Sequence, residues 1–587
     1  MKDFFKFMFA SMLGFFLVIL LISFLSFGII AGIIAATTST SVSVPSNSVL
    51  RIRLDKPVFD RTPKLPFLVN LQIPGKTLGL DEILKNIHKA KTDDKIKGIL
   101  LDISVIPAGI ETLREIRNAL SDFRRSGKFI IAYSEVYSQS SYYLASVADR
   151  VYLYPEGTLI FKGINAEMTF LKGLLDKIDV KVQVVRHGKF KAATEPLFLD
   201  KMSPENRLQI TTLINSIWNN VVDSISASRR IPVAELNRMA DSLSSFSNTT
   251  AIQRHLVDGL LYSDQLTDTL KKVLHIAGDR EVSYISIEKY SNAPDPSDKK
   301  PGRRYKIAVI FASGSIGSGE GDDRNIGSER ISKALREARE DDRVKAVVFR
   351  INSPGGSALA SDVIWREVKL TAKEKPVVAS FGDVAASGGY YIGCASTRIL
   401  ADPVTLTGSI GVFGVVPNFK GLFNNKLGIT FDRAGTNANS DYVPVTEPLS
   451  AYQTAVLQRD IETIYDSFIT RVAEGRKMTK EKVDSIGQGR IWSGSDALKI
   501  GLIDEFGGME DAVKAAAKLA GISDYSLLSL PRQKDPLQQF IEEFTDDTHA
   551  SLLEKELGDN YKYWQYLQEV SRMQGVQARL PFEITIQ

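Results

Sequence analysis

The hydrophobic and polar positions of the chain form two patterns, an apolar run near the amino terminus and then an alternation of short and long segments. Phe7–Leu50 contains no charged residue, and Phe7–Ala36 is almost entirely apolar. Farther along, β-branched runs such as Lys97–Ile103 and Lys345–Ile351 predict strands. The amphipathic stretches between such runs predict helices, among them Leu80–Lys91, Ile110–Arg125 and Glu329–Glu340. Strand followed by helix, repeated, predicts an α/β fold with largely parallel strands.

The apolar run predicts one membrane-spanning helix, at about residues 8–36. A spanning helix needs about 20 apolar residues, whereas the apolar core of a cleavable signal has about 7–15. A buried helix of a soluble domain is disfavoured because the run is apolar on every side. Lys2 and Lys6 lie before the run and favour an amino terminus inside the cell. We therefore expect the chain after about Ser39 to lie outside the cytoplasm, held to the bilayer by this helix.

The remainder of the chain contains an internal repeat. Asp93–Ile103 matches Asp341–Ile351 at an offset of 248 residues. The same offset pairs Tyr142 and Tyr143 with Tyr390 and Tyr391, Arg150 with Arg398, and Pro155 with Pro403. A nearly constant offset over about a hundred residues is difficult to obtain by chance, so we predict a tandem duplication.

The repeat and the composition predict the domain limits. An anchor at 1–46 precedes a first α/β repeat at 47–290, and a second repeat spans 305–530. Between them, residues 291–304 are rich in proline, serine and charge, as expected of a linker. Residues 531–587 match neither repeat and are predicted as a helical tail, with helices at Leu537–Phe544 and His549–Leu557 and an edge strand at Phe582–Ile586.

Composition and charge exclude several classes of function. Lysine and arginine (73) nearly balance aspartate and glutamate (69), and the net charge of +4 gives no field that favours nucleic acid. A single cysteine, Cys394, excludes an intrachain disulfide and a multi-cysteine metal site. The five histidines are far apart and show no ligand-like spacing. We therefore expect no metal, no other cofactor and no nucleic-acid partner.

Two glycine-rich turns in the second repeat have the features of a nucleophile site. Ser387 follows a predicted strand and precedes two glycines, which would leave its hydroxyl exposed and its backbone open to a substrate. The N–H of Gly388 would point to the position of an oxyanion, and the Pro-Gly-Gly turn with Gly355 and Gly356 can supply a second donor. For an isolated Ser-Gly-Gly, a helix N-cap is the simpler interpretation. The pairing of two such turns at successive strand ends favours the site.

A serine nucleophile needs a base, and the second repeat contains no histidine. In the first repeat, His187 is the best histidine, but its sequence neighbours offer no clear orienting carboxylate. Lys189 and Lys191 are the alternatives, because a desolvated lysine amine can accept a serine proton.

The two repeats differ at these positions in a complementary way. Gln139 stands in the first repeat where the second has Ser387, and Ala438 stands in the second where the first has Lys191. One repeat therefore carries the candidate nucleophile and the other the candidate base. A complete site requires the repeats to face each other, either within one chain or between neighbouring chains.

At these residues the chain resembles the signal peptide peptidase A family, in its long, duplicated, membrane-anchored bacterial form. The resemblance rests on the apolar amino-terminal segment and on four motifs, R-x-G-x-x-K-x-A-x-E-P at 186–196, N-S-P-G-G at 352–356, S-G-G-Y at 387–390 and L-T-G-S-I-G at 406–411. It implies the Clp protease/crotonase superfold, a spiral of β-β-α units, and a serine protease with a Ser/Lys dyad. It also implies a role in degrading cleaved signal peptides at the bacterial cytoplasmic (inner) membrane, on its periplasmic side.

The resemblance assigns roles to individual residues. Ser387 is similar to the family's nucleophile, and Lys191, which ends the R-x-G-x-x-K spacing, to its general base. Ser409 resembles the serine that orients the lysine. Gly388, with Gly355 or Gly356, resembles the oxyanion-hole donors. A homo-oligomer, a tetramer in the family, with an apolar groove for extended peptides is also implied.

Two other functions remain open on the sequence. A crotonase-like enzyme acting on acyl-CoA would use the same oxyanion turns without a serine nucleophile, although CoA is scarce outside the cytoplasm. A non-catalytic membrane scaffold would retain the dyad as a vestige. Tyr390 and Tyr391, beside the serine, would line a peptide groove or, more simply, pack in the core.

Overall fold

The structure, a computed structural model, describes residues 2–38, 42–64, 77–295, 304–533 and 576–579. Its strands are β1 (Ser48–Ile52), β2 (Ile96–Asp102), β3 (Phe129–Tyr137), β4 (Arg150–Leu159), β5 (Lys181–Arg186), β6 (Gly259–Leu260), β7 (Ser283–Ser286), β8 (Tyr305–Ser313), β9 (Ile316–Gly317), β10 (Ile326–Gly327), β11 (Val344–Ser353), β12 (Gly355–Ser357), β13 (Val377–Ala386), β14 (Arg398–Ala401), β15 (Leu406–Gly408), β16 (Phe413–Asn418), β17 (Ile491–Ser493), β18 (Glu505–Phe506), β19 (Tyr525–Leu530) and β20 (Gln577–Arg579).

Apart from α1, the α-helices lie between these strands along the chain, and many of them pack on the sheets. They are α1 (Lys2–Thr38), α2 (Leu80–Thr92), α3 (Ile110–Arg124), α4 (Gln139–Ala145), α5 (Lys172–Lys177), α6 (Glu195–Phe198), α7 (Pro204–Arg229), α8 (Val233–Ser242), α9 (Asn248–Gln253), α10 (Ser263–Val273), α11 (Ile287–Tyr290), α12 (Ser328–Glu340), α13 (Ala358–Glu374), α14 (Gly388–Gly393), α15 (Ala451–Arg476), α16 (Lys480–Ile486), α17 (Gly494–Lys499) and α18 (Met509–Leu519).

Helix α1 stands apart from the rest of the described chain. Its segment Asp3–Leu25 has a mean hydropathy of 2.6, and none of that segment is buried against the protein. By length and composition the helix can cross a membrane. The sequence prediction of one apolar amino-terminal helix is confirmed.

Each repeat builds its own largely parallel sheet. The first has the order β6-β4-β3-β2-β1-β7, in which every neighbouring pair is parallel. The second has the order β17-β15-β13-β11-β8-β19, and off this path β14 lies beside β13 and β18 lies beside β14. Amphipathic helices cover the sheets, as α2 does by burying Ile83, Leu84 and Ile87. The predicted α/β class is therefore confirmed.

The duplication is visible in the positions of equivalent elements. Helices α2 and α12 begin at residues 80 and 328, and strands β2 and β11 begin at 96 and 344, each pair separated by the predicted offset. The long helices α7 and α15 begin at 204 and 451, one residue out of step. The predicted tandem repeat is thus confirmed.

A third sheet combines strands from both repeats and from the tail. Its order is β10-β9-β12-β20-β16-β5. Strand β5 of the first repeat pairs antiparallel with β16 of the second, from Arg186 opposite Phe413 to Lys181 opposite Asn418. The repeats therefore share a sheet within one chain. The domain limits proposed from the sequence stay a prediction, and the tail segments expected as helices, together with Phe582–Ile586, lie outside the described residues.

A buried cluster of charges also joins the repeats. The Arg350 side chain at the end of β11 is fully buried, and its Nε lies 2.7 Å from Asp60 Oδ1. Its other nitrogens lie 3.0 Å from Glu111 Oε2 and 2.8 Å from Glu115 Oε1. Because these carboxylates belong to the first repeat, the cluster fixes the end of β11, which leads directly into the Pro354 turn.

Candidate active site

Ser387 lies at the sharp turn between β13 and α14. Its backbone has φ 55° and ψ −115°, a conformation that L-residues rarely adopt and that costs of order 1–3 kcal/mol. The Ser387 N–H donates to the Gly408 carbonyl (2.8 Å), which fixes the turn against β15. The side chain is fully buried in the described structure. A strained strand-to-helix turn with serine at its apex is the arrangement of a nucleophile elbow.

Lys191 reaches this serine because of the β5–β16 pairing. Residue 191 follows the end of β5 closely, and the turn that leads to it packs against Gly489, where an added Cβ would lie 2.6 Å from the Lys191 nitrogen and Cβ. The Lys191 Nζ lies 2.8 Å from Ser387 Oγ. The two groups that the sequence placed in separate repeats thus meet within one chain.

Ser409 completes the immediate surroundings of the amine. Its Oγ lies 3.0 Å and its carbonyl oxygen 3.1 Å from Lys191 Nζ. The Ser409 backbone has φ 51°, and its N–H donates to the Arg490 carbonyl (2.7 Å). Both the hydroxyl and the carbonyl therefore hold the amine in line with Ser387.

Burial lowers the pKa of the Lys191 amine well below its usual value of 10.5. The side chain is fully buried, and taking an ammonium group out of water disfavours its charged form. A neutral amine beside a serine hydroxyl can accept the hydroxyl proton. The geometry and the electrostatics therefore give Lys191 the properties of a base.

The Pro-Gly-Gly turn lies against the turn that carries Ser387. Gly355 has φ 100°, and a Cβ there would lie 2.7 Å from the Gly388 nitrogen, so only glycine fits this approach. The Gly355 N–H donates to Ser353 Oγ (3.2 Å). Of the two glycines of the turn, Gly356 is therefore the better candidate to act with Gly388 as an oxyanion donor.

The alternative bases lie elsewhere. Lys189 is exposed, with its Nζ 5.5 Å from the centre of the Phe190 ring. His187 Nδ1 lies 2.6 Å from Glu462 Oε2, and its ring stacks on Tyr465 at 3.7 Å between centroids. The sequence did not reveal this carboxylate because Glu462 belongs to the other repeat. His187 therefore contacts Glu462 and Tyr465 of α15, whereas the Lys191 amine contacts Ser387.

The positions that match the two candidate catalytic residues in the opposite repeats have different surroundings. Gln139 Oε1 accepts hydrogen bonds from the N–H groups of Lys162 (3.1 Å) and Gly163 (3.0 Å), and its Nε2 donates to the Gly163 carbonyl (3.2 Å). Ala438, at the position that matches Lys191, lies in an exposed loop. The first repeat thus fills its own equivalent of the serine site with an amide.

Tyr390 and Tyr391 are core residues. Both are almost fully buried, and their hydroxyls donate to the Leu502 carbonyl and to Asp362 Oδ1, each at 2.8 Å. The simpler interpretation of these tyrosines agrees with the structure.

Strand β20 was not expected from the sequence. It pairs antiparallel with β12, with Gly355 opposite Arg579, Gly356 opposite Ala578 and Ser357 opposite Gln577. The available signal was the alternation of small apolar and polar residues at 576–579, which is short and isolated in the tail.

Comparison with known proteins gives consistent matches over most of the chain. The family model described as Peptidase family S49 matches twice, at residues 122–277 and 369–523, once in each repeat. Protease 4 of Salmonella typhi is 38% identical over 485 residues, which cover 81% of this chain and 77% of that protein. Protease 4 of Haemophilus influenzae is 35% identical over 571 residues, covering 94% and 89%. The chloroplastic serine protease SPPA of Arabidopsis thaliana is 31% identical over 517 residues, covering 86% and 74%.

Proposed function

The chain belongs to peptidase family S49, and from this premise we propose that it is a membrane-anchored serine endopeptidase with Ser387 as nucleophile and Lys191 as general base. The observation that carries the proposal is the 2.8 Å separation between Lys191 Nζ and Ser387 Oγ in a site where both side chains are fully buried. Ser409 positions the amine.

The proposed reaction is acyl transfer through a serine ester. Lys191 accepts the Ser387 proton as Oγ attacks the carbonyl carbon of the scissile bond, and it returns the proton to the leaving amine nitrogen. Water then attacks the ester carbon as Lys191 accepts a proton from it; the bond from that carbon to Ser387 Oγ breaks, and Lys191 returns the proton to Oγ, which releases the peptide acid. The Gly388 N–H, together with the N–H of Gly356, stabilises the negative charge that develops on the carbonyl oxygen.

The proposed substrates are cleaved signal peptides in or at the bacterial cytoplasmic membrane. Helix α1 would hold the catalytic part close to the bilayer, on the periplasmic side if Lys2 and Lys6 keep the amino terminus inside. Such peptides are apolar, and an extended peptide can bind by adding a strand to a sheet. The homo-oligomer, a tetramer by resemblance to the family, and the domain limits at 290 and 305 are part of this proposal.

Variants at the two lysines and the serine test the proposal in the full chain in detergent. We expect Ser387→Ala and Lys191→Ala each to reduce hydrolysis of an apolar signal-peptide-like substrate by about 10³-fold or more. Lys189→Ala is the matched control and should retain most of the activity, since that side chain is exposed. Equal losses for Lys189→Ala and Lys191→Ala would refute the assignment of the base.

A fluorophosphonate probe separates the proposal from its two alternatives. We expect covalent labelling of the wild-type chain at Ser387 and none of Ser387→Ala. A scaffold would give no labelling and no hydrolysis. A crotonase-like acyl-CoA enzyme would retain its activity in Ser387→Ala.

A further inference from the structure

Strand β13, which leads to Ser387, contains a bulge shortly before the serine. The ladder that joins β13 to β11 changes register between Phe381 and Ala385, because β13 has more residues in this interval than β11, and residues 382–384 form the bulge. Asp383 lies at its centre and has no register partner on β11, β14 or β15 in the described sheet. A β-bulge bends its strand and re-aims the side chains beyond it. Contacts outside the ladder must therefore fix the direction in which β13 presents Ser387.

The Asp383 carboxylate binds the first turn of a helix in the opposite repeat. Helix α3 begins after Gly109, which has no side chain to accept hydrogen bonds from that turn. Asp383 Oδ1 accepts from the N–H groups of Glu111 (2.9 Å) and Thr112 (3.4 Å), and Oδ2 accepts from Thr112 Oγ1 (2.7 Å). An N-cap side chain accepts from these same positions of a helix. Asp383 therefore caps α3, although it belongs to the second repeat.

Gly109 allows the carboxylate to approach the helix end. A Cβ at Gly109 would lie 2.0 Å from Asp383 Oδ1 and 2.1 Å from its Cγ. The Gly109 backbone, with φ −70° and ψ 162°, has a conformation that any residue can adopt. The glycine is therefore required by the approach of Asp383 and not by the turn itself. The helix takes its cap from the other repeat at a position where a residue of its own could supply one.

A second contact holds the bulge from the side of β11. Asn352 Oδ1 accepts from the Val384 N–H (3.2 Å), and Asn352 Nδ2 donates to Asp60 Oδ2 (2.8 Å) of the first repeat. The bulge is thus connected to the first repeat through Asp383 directly and through Asn352 indirectly. In the first repeat the position that matches Asp383 is Glu135 of β3, which is exposed. The connection is therefore a feature of the strand that leads to the candidate nucleophile.

We propose that Asp383 is a positioning residue for the reaction of Ser387 with Lys191, because its contact with α3 fixes the bulge relative to the repeat that supplies the lysine. This inference rests on the proposed function, since it assigns a role beside the same dyad. Val384–Ala386 continue in register with β15 up to the serine, so a displacement of the bulge is transmitted to Ser387. Lys191 stays with the first repeat. A misplacement of about 1 Å between reacting groups can reduce a rate by about 10²-fold.

Moving the carboxylate from one repeat to the other, in the full chain in detergent, tests the proposal. Asp383→Ala removes both the cap and the connection, whereas the double variant with Gly109→Asp and Asp383→Ala returns a carboxylate to α3 from within the first repeat. We expect both variants to lower kcat by about 10²-fold with KM changed by less than about threefold. The double variant should regain most of the urea midpoint that Asp383→Ala loses, because the N–H groups of Glu111 and Thr112 again have an acceptor. Recovery of kcat together with the midpoint would overturn the proposal, since Asp383 would then be a helix cap alone.

The rate of fluorophosphonate labelling is a readout that a loss of folded protein does not change. The end point counts the chains with a folded site, and the rate constant reports the reactivity of Ser387 in each of them. We expect Asp383→Ala to lower the rate constant, and Asp383→Asn, which keeps an acceptor oxygen for α3, to retain most of it. Glu135→Ala is the matched control and should leave it unchanged. Fewer labelled chains at an unchanged rate constant in Asp383→Ala would show a purely structural role and overturn the proposal.

The wild-type chain in the same assays separates the failure of this inference from the failure of the proposed function. Hydrolysis and labelling by the wild-type chain, with kcat and the labelling rate constant equal in Asp383→Ala, refute only the positioning role. Absence of both reactions in the wild-type chain refutes the proposed function and the positioning role together.

Discussion

Arg186 of the first repeat lies opposite Phe413 of the second in the antiparallel pair of β5 and β16. Lys191 lies only a few residues after Arg186 in the sequence, and Ser409 lies only a few residues before Phe413. The pairing therefore brings the two residues together, and Lys191 Nζ lies 3.0 Å from Ser409 Oγ. The position of the Lys191 amine beside Ser409 therefore depends on this ladder.

Proline substitution in β16 tests the role of the ladder. The His187 N–H donates to the Val412 carbonyl (3.1 Å), so the alternation of the ladder directs the N–H of Val416 toward β5 and that of Val415 away from it. We expect Val416→Pro, which removes a ladder donor, to reduce kcat/KM by about 10²-fold through displacement of Lys191. Val415→Pro is the matched control and should cost much less. Equal effects would show that the ladder does not position the amine.

The pH profile of hydrolysis should report the neutral amine. Lys191 acts as a base only when it is unprotonated, so kcat/KM should fall as the pH falls through the pKa of this group. Because burial lowers that pKa, we expect the midpoint of this limb well below 10.5. The measurement is kcat/KM against pH for the wild-type chain and for Lys189→Ala, which should share the limb. A midpoint near 10.5 would contradict a desolvated base.

Removing the hydroxyl of Ser409 should weaken the positioning of the base without abolishing it. The Ser409 carbonyl still accepts from Lys191 Nζ at 3.1 Å after the hydroxyl is lost. We expect Ser409→Gly, which tolerates the positive φ, to reduce kcat by about 10–10²-fold with little change in KM. Steady-state kinetics with one peptide substrate measures kcat and KM separately. A loss as large as that of Lys191→Ala would mean that Ser409 does more than position the amine.

Loss of Arg350 should destabilise the junction between the repeats. Arg350→Met leaves Asp60, Glu111 and Glu115 buried without their cation, which should cost about 3–5 kcal/mol in the free energy of unfolding. Arg343→Met removes a cation that is 66% exposed and pairs with Asp341, so it should cost at most about 1 kcal/mol. Urea titration of both variants provides the comparison. Similar midpoints would show that the buried cluster contributes little to stability.

The sequence predicted the repeated elements closely because each has its own hydrophobic period. The amphipathic helices expected at Leu80–Lys91 and Ile110–Arg125 are found at Leu80–Thr92 and Ile110–Arg124. The strand expected at Lys345–Ile351 extends to Val344–Ser353, since the residues after Ile351 continue the ladder as far as the Pro354 turn. Local patterns thus suffice for elements that bury a continuous apolar face.

The contacts between the repeats could not be predicted in the same way. The pairing of Phe413 with Arg186, the Asp60–Arg350 contact and the His187–Glu462 pair each join residues that are more than two hundred positions apart. No local period encodes such pairs. One sequence signal indicated that the repeats must contact each other: Gln139 stands in the first repeat where the second has Ser387, and Ala438 stands in the second where the first has Lys191. That signal left open whether the contact occurs within one chain.

The hydrogen bonds of Gln139 have a consequence for stoichiometry. The residue equivalent to Ser387 in the first repeat is Gln139, which has no hydroxyl, and its amide is already engaged by Lys162 and Gly163. If Ser387 is the nucleophile, as proposed, a polypeptide with two copies of the unit carries a single reactive centre among the described residues. Titration with an irreversible inhibitor should reach its end point at one equivalent per polypeptide, whatever the number of subunits in the assembly.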